Sequence, residues 1–164
     1  MAIPKYARME HERRFLVSQA PDLAGAPARL IEDLYIDGGR LRLRAVTDLA
    51  SGERTFKLCK KYGPADGEGE PIANLYLTAE EHAVLARLPG DALRKRRYTV
   101  DGVSLDVFEG PLDGLMIAEA EAESHAAIAA RAFPPWCGRE VTGDRRYSGA
   151  TLAFGSTLAS PKPG

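Results

Sequence analysis

The sequence has few cysteines and no long apolar run. Only Cys59 and Cys137 are present, far apart and without Cys or His neighbours at the spacing of zinc ligands. We therefore predict two free thiols rather than a disulfide or a zinc site. No stretch approaches the roughly 18 apolar residues that a membrane span requires, and residues 1–14 contain charges but no secretory hydrophobic segment. These features predict a cytoplasmic protein that does not associate with membranes.

Aromatic residues and net charge are also low. Phe, Trp and Tyr make up 7% of the chain, and 22 Lys and Arg nearly balance 23 Asp and Glu. A protein that binds nucleic acid is usually basic and stacks bases on aromatic rings, so nucleic acid is not an expected partner. With 164 residues, 45% of them hydrophobic, the chain can bury one core. We predict one domain over residues 1–155 and a flexible tail, rich in small residues, over 156–164.

Alternation with period two dominates the chain and predicts eight strands. They lie near residues 8–17, 30–36, 40–47, 54–62, 71–77, 94–100, 103–109 and 115–123. Turn-forming residues separate many of them, including Asp101-Gly102 and the segment from Gly63 to Gly69. The pattern favours a mainly β protein (α+β) built as an eight-stranded antiparallel barrel with flanking helices.

Three helices are predicted beside these strands. Thr78-Ala79-Glu80-Glu81 matches a capping box and begins a helix that stops at Leu88-Pro89-Gly90. A second helix spans about residues 124–132, and a third, short helix starts near Asp144.

Like charges recur two residues apart on several predicted strands, where they share a face. The cationic pairs are Arg42/Arg44 and Lys95/Arg97, with Lys57 and Lys61 on one face; the acidic pairs are Glu10/Glu12 and Glu119/Glu121. On a single strand, such a pair is most simply explained by a face exposed to solvent. Solvent-exposed surfaces, however, usually carry positive and negative charges interspersed. The repetition favours a barrel whose charged faces point into a wet interior that holds counter-ions. Cationic strands then call for a polyphosphate, and paired glutamates call for a divalent cation.

The segment Glu10-His11-Glu12-Arg13-Arg14-Phe15-Leu16-Val17 resembles the N-terminal ExExK signature of the CYTH superfamily, the triphosphate tunnel metalloenzymes. The resemblance covers about residues 8–153, and it continues through Leu41-Arg42-Leu43-Arg44, Lys95-Arg96-Arg97-Tyr98, Leu105-Asp106-Val107-Phe108-Glu109-Gly110, Glu119-Ala120-Glu121 and Glu140-Val141-Thr142-Gly143-Asp144-Arg145-Arg146-Tyr147. It implies an eight-stranded tunnel that hydrolyses or cyclises triphosphates with Mg²⁺ or Mn²⁺.

The resemblance also implies roles for individual residues. The metal ligands would be Glu10, Glu12, Asp106, Glu119 and Glu121. The phosphate-binding residues would be Arg42, Arg44, Lys57, Lys61, Lys95, Arg97, Arg145 and Arg146. The catalytic residues would be Arg14, Glu12 and Glu121. Lys61 best matches the family's fourth-strand lysine, although Lys57 shares its face and Lys60 is one register away, and Glu70 matches a further carboxylate.

Arg14 stands where the signature has lysine. A planar guanidinium replaces a compact ammonium there, so we expect a change in rate or substrate preference. Arg14 is predicted either to contact the phosphate chain or a metal-bound carboxylate, or to form a structural ion pair with Glu12.

The leading hypothesis is therefore an inorganic triphosphatase that uses two Mg²⁺ or Mn²⁺ ions to hydrolyse tripolyphosphate. The alternatives on the same fold are a class IV adenylate cyclase, a thiamine triphosphatase and a nucleoside triphosphatase. A non-catalytic polyphosphate-binding module is a further alternative. The expected partner is a small-molecule triphosphate, and a homodimer is left open.

Overall fold

The computed structural model describes residues 3–63 and 69–159 of the chain. Its strands are β1 (Arg8–Leu16), β2 (Ala28–Ile36), β3 (Leu41–Asp48), β4 (Arg54–Lys61), β5 (Glu70–Leu77), β6 (Gly90–Val100), β7 (Val103–Phe108) and β8 (Met116–Ala122). They form a closed antiparallel barrel in the order β1-β5-β4-β3-β2-β6-β7-β8. All eight predicted strands are confirmed. The largest difference is in β6, which begins four residues before its predicted start because it pairs along the whole of β2.

The first strand closes the barrel. It pairs with β5 through Glu10↔Glu70 and with β8 through Glu12↔Glu121 and Arg14↔Glu119. Since side chains alternate between the two faces of a strand, this register directs the charged residues of both strands into the interior.

On the opposite, outer face of the barrel, side chains of β1, β7 and β8 form an apolar cluster. Phe15, Val103, Leu105 and Ala118 are buried there, and the segment 133–137 packs over them. Burial of each large apolar side chain contributes about 1.5–3 kcal/mol. These side chains therefore stabilise the barrel wall from its outer side.

The turn between β6 and β7 is the hairpin that the sequence predicts at Asp101-Gly102. Both residues have positive φ, 50° and 72°, which a two-residue hairpin turn of this type requires. Most of the turn predicted between Gly63 and Gly69 lies outside the described residues.

In the part of the chain that the structure describes, three helices flank the barrel, namely α1 (Ala79–Leu85), α2 (His125–Ala129) and α3 (Gly149–Ala159). Helix α1 begins with the predicted capping box, in which the Glu81 amide donates to Thr78 and the Glu81 carboxylate accepts from the Thr78 amide. Near the position predicted for the third helix, a 3₁₀ turn covers Arg145–Tyr147. The longer helix α3 follows it.

Helix α3 packs against one end of the barrel interior. Ala153 is buried there with Leu93, Phe108 and Ile117, and a Cβ at Gly149 would overlap the hydroxyl of Tyr35. The helix reaches Ala159, so residues 156–159, which were predicted to begin a flexible tail, are helical; residues 160–164 lie outside the described residues. The alternation pattern did not reveal this because the packing partners of α3 are distant in sequence.

Both cysteines are free thiols, as predicted. Within the described residues, none of the helices is long and apolar enough to cross a membrane.

Candidate functional site in the barrel interior

Three carboxylates from β1 and β8 lie close together. Within the described residues they form the one group that could hold a metal ion, because one oxygen each of Glu10, Glu12 and Glu121 lies within 4.8 Å of the others. Carboxylate oxygens are the ligands that Mg²⁺ and Mn²⁺ prefer. The donor set therefore fits a hard divalent cation.

The proton affinity of two of these carboxylates reflects their crowding. Desolvation, followed by the neighbouring charges of Glu10 and Glu119, raises the pKa of Glu121 to about 7. Desolvation and Glu119 likewise raise the pKa of Glu12. Glu121 lies at the exposed rim, so we attribute much of its shift to like charges within a few ångströms. Negative charges held this closely favour a bound cation.

Glu119 and Asp106, also predicted as metal ligands, lie outside this group. Asp106 is fully buried, and its oxygens accept hydrogen bonds from Lys95 at 2.5 Å and from Arg97 at 2.7 and 2.8 Å. Arg97 also donates to Glu119. Burial alone would raise the pKa of Asp106, but the charges of Lys95 and Arg97 outweigh it and hold the pKa below its usual range. The two predicted phosphate-binding cations of β6 are therefore already paired with carboxylates.

The arginines of β3 differ in their partners. Arg44 forms a two-bond ion pair with Asp33 of β2, at 2.6 and 2.7 Å. Asp33 is buried, and although burial would raise its pKa, the charge of Arg44 keeps it low. Arg42 lies opposite Tyr35, and its buried Nε has no hydrogen-bond partner within the described part of the chain. An unpaired buried donor is costly, and an anion in the interior would satisfy it.

The three lysines of β4 have different environments. Lys61 lies 3.1 Å from Glu10 and 3.6 Å from Glu70, whereas Lys60 points outward, exposed, over the ring of Tyr62. Lys57 lies opposite Arg44 and forms no salt bridge with any carboxylate of residues 3–63 or 69–159. Desolvation, followed by the charges of Arg44 and Arg42, lowers the pKa of Lys57. A cation destabilised by its neighbours in this way is a suitable anchor for a phosphate.

Arg14 connects the barrel to the segment that precedes α3. Its Nη1 donates to the backbone oxygen of Tyr147 at 2.5 Å, and its Nε lies 3.7 Å from Glu119. The ion pair therefore involves Glu119 rather than Glu12. The sequence did not indicate Glu119 as the ion-pair partner of Arg14, because the register between β1 and β8 was unknown.

Arg145 and Arg146 lie in the 3₁₀ turn and are exposed. Arg146 is paired with Asp144 in the same turn, at 2.7 Å. The structure does not bring these two arginines together with the acidic group.

A polar cavity of about 230 Å³ opens beside the site. Its wall includes Arg97, Glu119 and Glu121, together with Ser104 and Arg131. Sequence reasoning missed Arg131, which follows α2 and belongs to no strand, and also Asp33. Asp33 could have been found, because it is the one acid on the inward face of β2 between Ile31 and Tyr35.

Comparison with known proteins identifies a relative with a named activity. No family model matches the chain. It is 35% identical over 157 residues to an inorganic triphosphatase of Nitrosomonas europaea, and the match covers 88% of this chain and 97% of that protein.

Two crystal structures are similar over nearly their whole length. One is named as an inorganic triphosphatase, with 30% identity, a TM-score of 0.57 and coverage of 94% of this chain and 97% of that chain. The other is named as a hypothetical protein, with 31% identity, the same TM-score and coverage of 88% and 97%.

Proposed function

Because the chain belongs to the CYTH superfamily of triphosphate tunnel metalloenzymes, we propose that it hydrolyses inorganic tripolyphosphate inside the barrel, using Mg²⁺ or Mn²⁺. One observation carries this proposal. The acidic group of Glu10, Glu12 and Glu121 shares the interior with cations that have spare capacity for an anion, Arg42 and Lys57.

The acidic group would hold the divalent ion, and we propose that a second ion binds during turnover. When bound, such ions polarise phosphoryl oxygens and lower the pKa of a coordinated water. Glu119 and Asp106 would have to exchange their present partners, Arg97 and Lys95, to join the metal ligands.

The cationic wall would bind and orient the substrate. Arg42 and Lys57 offer donors that no carboxylate of the described residues occupies, so they would contact phosphate oxygens first. Arg44, fixed by Asp33, would add charge in a set orientation. Such fixed charges stabilise the negative charge of a phosphoryl group in transfer without reorganising.

We also propose that the protein acts in the cytoplasm, with the triphosphate as its small-molecule partner. Neither nucleic acid nor a membrane is expected to take part. Whether the protein forms a homodimer stays a prediction, which analytical ultracentrifugation tests.

The test is a phosphate-release assay on purified protein with tripolyphosphate, ATP and thiamine triphosphate, with cyclic AMP measured in parallel. We expect the fastest release from tripolyphosphate and none in excess EDTA. Glu10→Gln should lose about 100-fold in rate, because it removes a metal ligand and keeps the shape. The exposed Glu53→Gln is its control. Cyclic AMP formation faster than phosphate release from tripolyphosphate would establish a cyclase instead.

A further inference from the structure

Arg131 lies on the wall of the cavity that contains Arg97, Glu119 and Glu121. It follows α2 and therefore comes from outside the strands that carry the predicted site residues. Its position at the cavity depends on the β6–β7 hairpin, since one of its Nη2 donors reaches the backbone oxygen of Gly102.

The guanidinium of Arg131 has unused hydrogen-bonding capacity. It carries five N–H donors, and the bond to Gly102 accounts for one of them. Its Cζ lies 6.0 Å from the centre of the Phe133 ring, a contact that uses the face of the group rather than its donors. Among residues 3–63 and 69–159, no carboxylate forms a salt bridge with Arg131, whereas Arg97 on the same wall is bound to Asp106 and Glu119.

The cavity lies at the end of the barrel that is remote from α3. On β7, Ser104 lines the cavity whereas Phe108 packs with α3; on β8, Glu121 lines the cavity whereas Ile117 packs with α3. At the far end, Ala153 of α3 packs on the apolar side chains of Leu93, Phe108 and Ile117. The polar cavity beside the acidic group is the exit that we assign to a nucleoside attached to a triphosphate, and this exit passes Arg131.

We propose that Arg131 is a specificity-determining residue that binds the terminal phosphoryl group of tripolyphosphate at the cavity. An unesterified terminal phosphoryl group offers Arg131 more negative charge and one more free oxygen than an esterified one. In ATP the phosphate at this position would be the α-phosphate, which is esterified to the nucleoside and therefore lacks that charge and that free oxygen. Arg131 thus favours inorganic tripolyphosphate over nucleoside triphosphates. The inference rests on the proposed function and assigns its substrate preference to one side chain.

The test compares Arg131→Ala and Arg131→Lys with the wild type, using Arg87→Ala, an exposed arginine on the outer surface, as the matched control. For Arg131→Ala we expect KM for tripolyphosphate to rise about tenfold, the effect of losing one charge-assisted hydrogen bond. KM for ATP should change by less than about twofold, because that contact is absent for an esterified phosphate. Arg131→Lys should keep part of the preference, and Arg87→Ala all of it.

Melting temperatures distinguish this role from a structural one. If Arg131 serves only to hold the hairpin, Arg131→Ala will lower the melting temperature and change both substrates equally, and the inference is wrong. Unchanged KM for tripolyphosphate would overturn it as well.

If the wild type hydrolyses tripolyphosphate and the Arg131 variants keep the wild-type substrate preference, this inference is wrong and the proposed function stands. A wild type that hydrolyses no triphosphate removes the proposed function. In that case, calorimetric titration of tripolyphosphate and ATP into the same proteins in EDTA measures whether Arg131 contributes to the affinity for tripolyphosphate. A selective loss of tripolyphosphate affinity in Arg131→Ala supports it, and equal affinity or no binding overturns it.

Discussion

At the scale of the single residue, Glu121 should make the stability of the metal-free protein fall with rising pH. Its pKa is about 7 in the folded protein and about 4.5 as an ordinary glutamate. The folded state therefore favours the protonated form, and its contribution to stability is complete below about pH 4.5 and is lost as the pH rises through 7.

The check is a thermal melt in EDTA at pH 5 and at pH 8. Glu121→Gln should raise the melting temperature at pH 8 and leave it nearly unchanged at pH 5. Glu53→Gln, which is exposed, is the control and should have no effect at either pH. A melting temperature of Glu121→Gln below that of the wild type at pH 8 would contradict the crowding of the acidic group.

Arg14 gives a second prediction at this scale. Because it bonds to the Tyr147 backbone and lies near Glu119, Arg14→Ala should lower stability by about 3–5 kcal/mol, as expected when one partner of a buried ion pair is removed. Arg14→Lys should keep the charge near Glu119 and recover most of that loss. Urea unfolding measures both, and wild-type stability of the alanine variant would show that the pair contributes nothing.

The residue scale also shows what the sequence could and could not predict. Alternation is enough to direct Glu10, Glu12 and Arg14 to one face, and the structure confirms this. It carries no information on which strand lies alongside, so the partners of Arg14 and Arg44, which are Glu119 and Asp33, were not predicted. Arg131 was predicted to lie in the second helix, over residues 124–132, but that helix ends at Ala129, so helical periodicity could not indicate the direction of its side chain.

At the scale of elements, β6 and β7 are joined through Asp106. Its carboxylate binds Lys95 and Arg97, and Asp106→Ala would leave both cations without this partner. We expect a loss of about 3–5 kcal/mol in the free energy of unfolding. Urea denaturation at pH 7 measures it, and the exposed Asp113→Ala is the control.

The contribution of Asp106 to stability depends on pH with the opposite sign to that of Glu121. The pKa of Asp106 is lowered in the folded state, so its contribution is present above its ordinary value of about 3.8 and is lost as the pH falls below it,. The difference in stability between wild type and Asp106→Ala should therefore shrink in acid. A difference that stays constant down to pH 3 would rule out the ion pairs as its cause.

Helix α3 offers a matched pair of substitutions. A Cβ at Gly149 would overlap the hydroxyl of Tyr35, whereas a Cβ at Gly155 meets nothing within 4 Å among the described residues. Gly149→Ala should therefore destabilise the protein by about 1–3 kcal/mol through overpacking. Gly155→Ala should stabilise it by up to about 1 kcal/mol, because alanine forms helix more readily than glycine.

Differential scanning calorimetry of the two variants is the measurement. Equal effects of the two substitutions would show that α3 does not approach the barrel as closely as described.

At the scale of the whole molecule, the sequence was sufficient to predict the barrel but not the packing of α3 at one of its ends. Eight alternating segments with inward charges have few arrangements other than a closed sheet. Whether the interior is open at both ends depends on where α3 packs, which is a long-range contact between Ala153 and residues such as Leu93. The expectation of a flexible tail from residue 156 reflects composition alone.

The double pairing of β1 also has a consequence for how the chain folds. During synthesis Glu12 emerges before its partner Glu121, which follows only after seven further strands have begun. Pairings between such distant segments are slow, because the entropy of closing the loop is lost before the contact forms. Until β8 appears, the part of β1 from His11 to Leu16 has no strand partner. Charged residues such as Glu12, Arg13 and Arg14 protect an unpaired strand from aggregation. Glu10 and Glu12, which are proposed to bind the ion in the folded protein, would then also help to keep β1 soluble before the barrel closes.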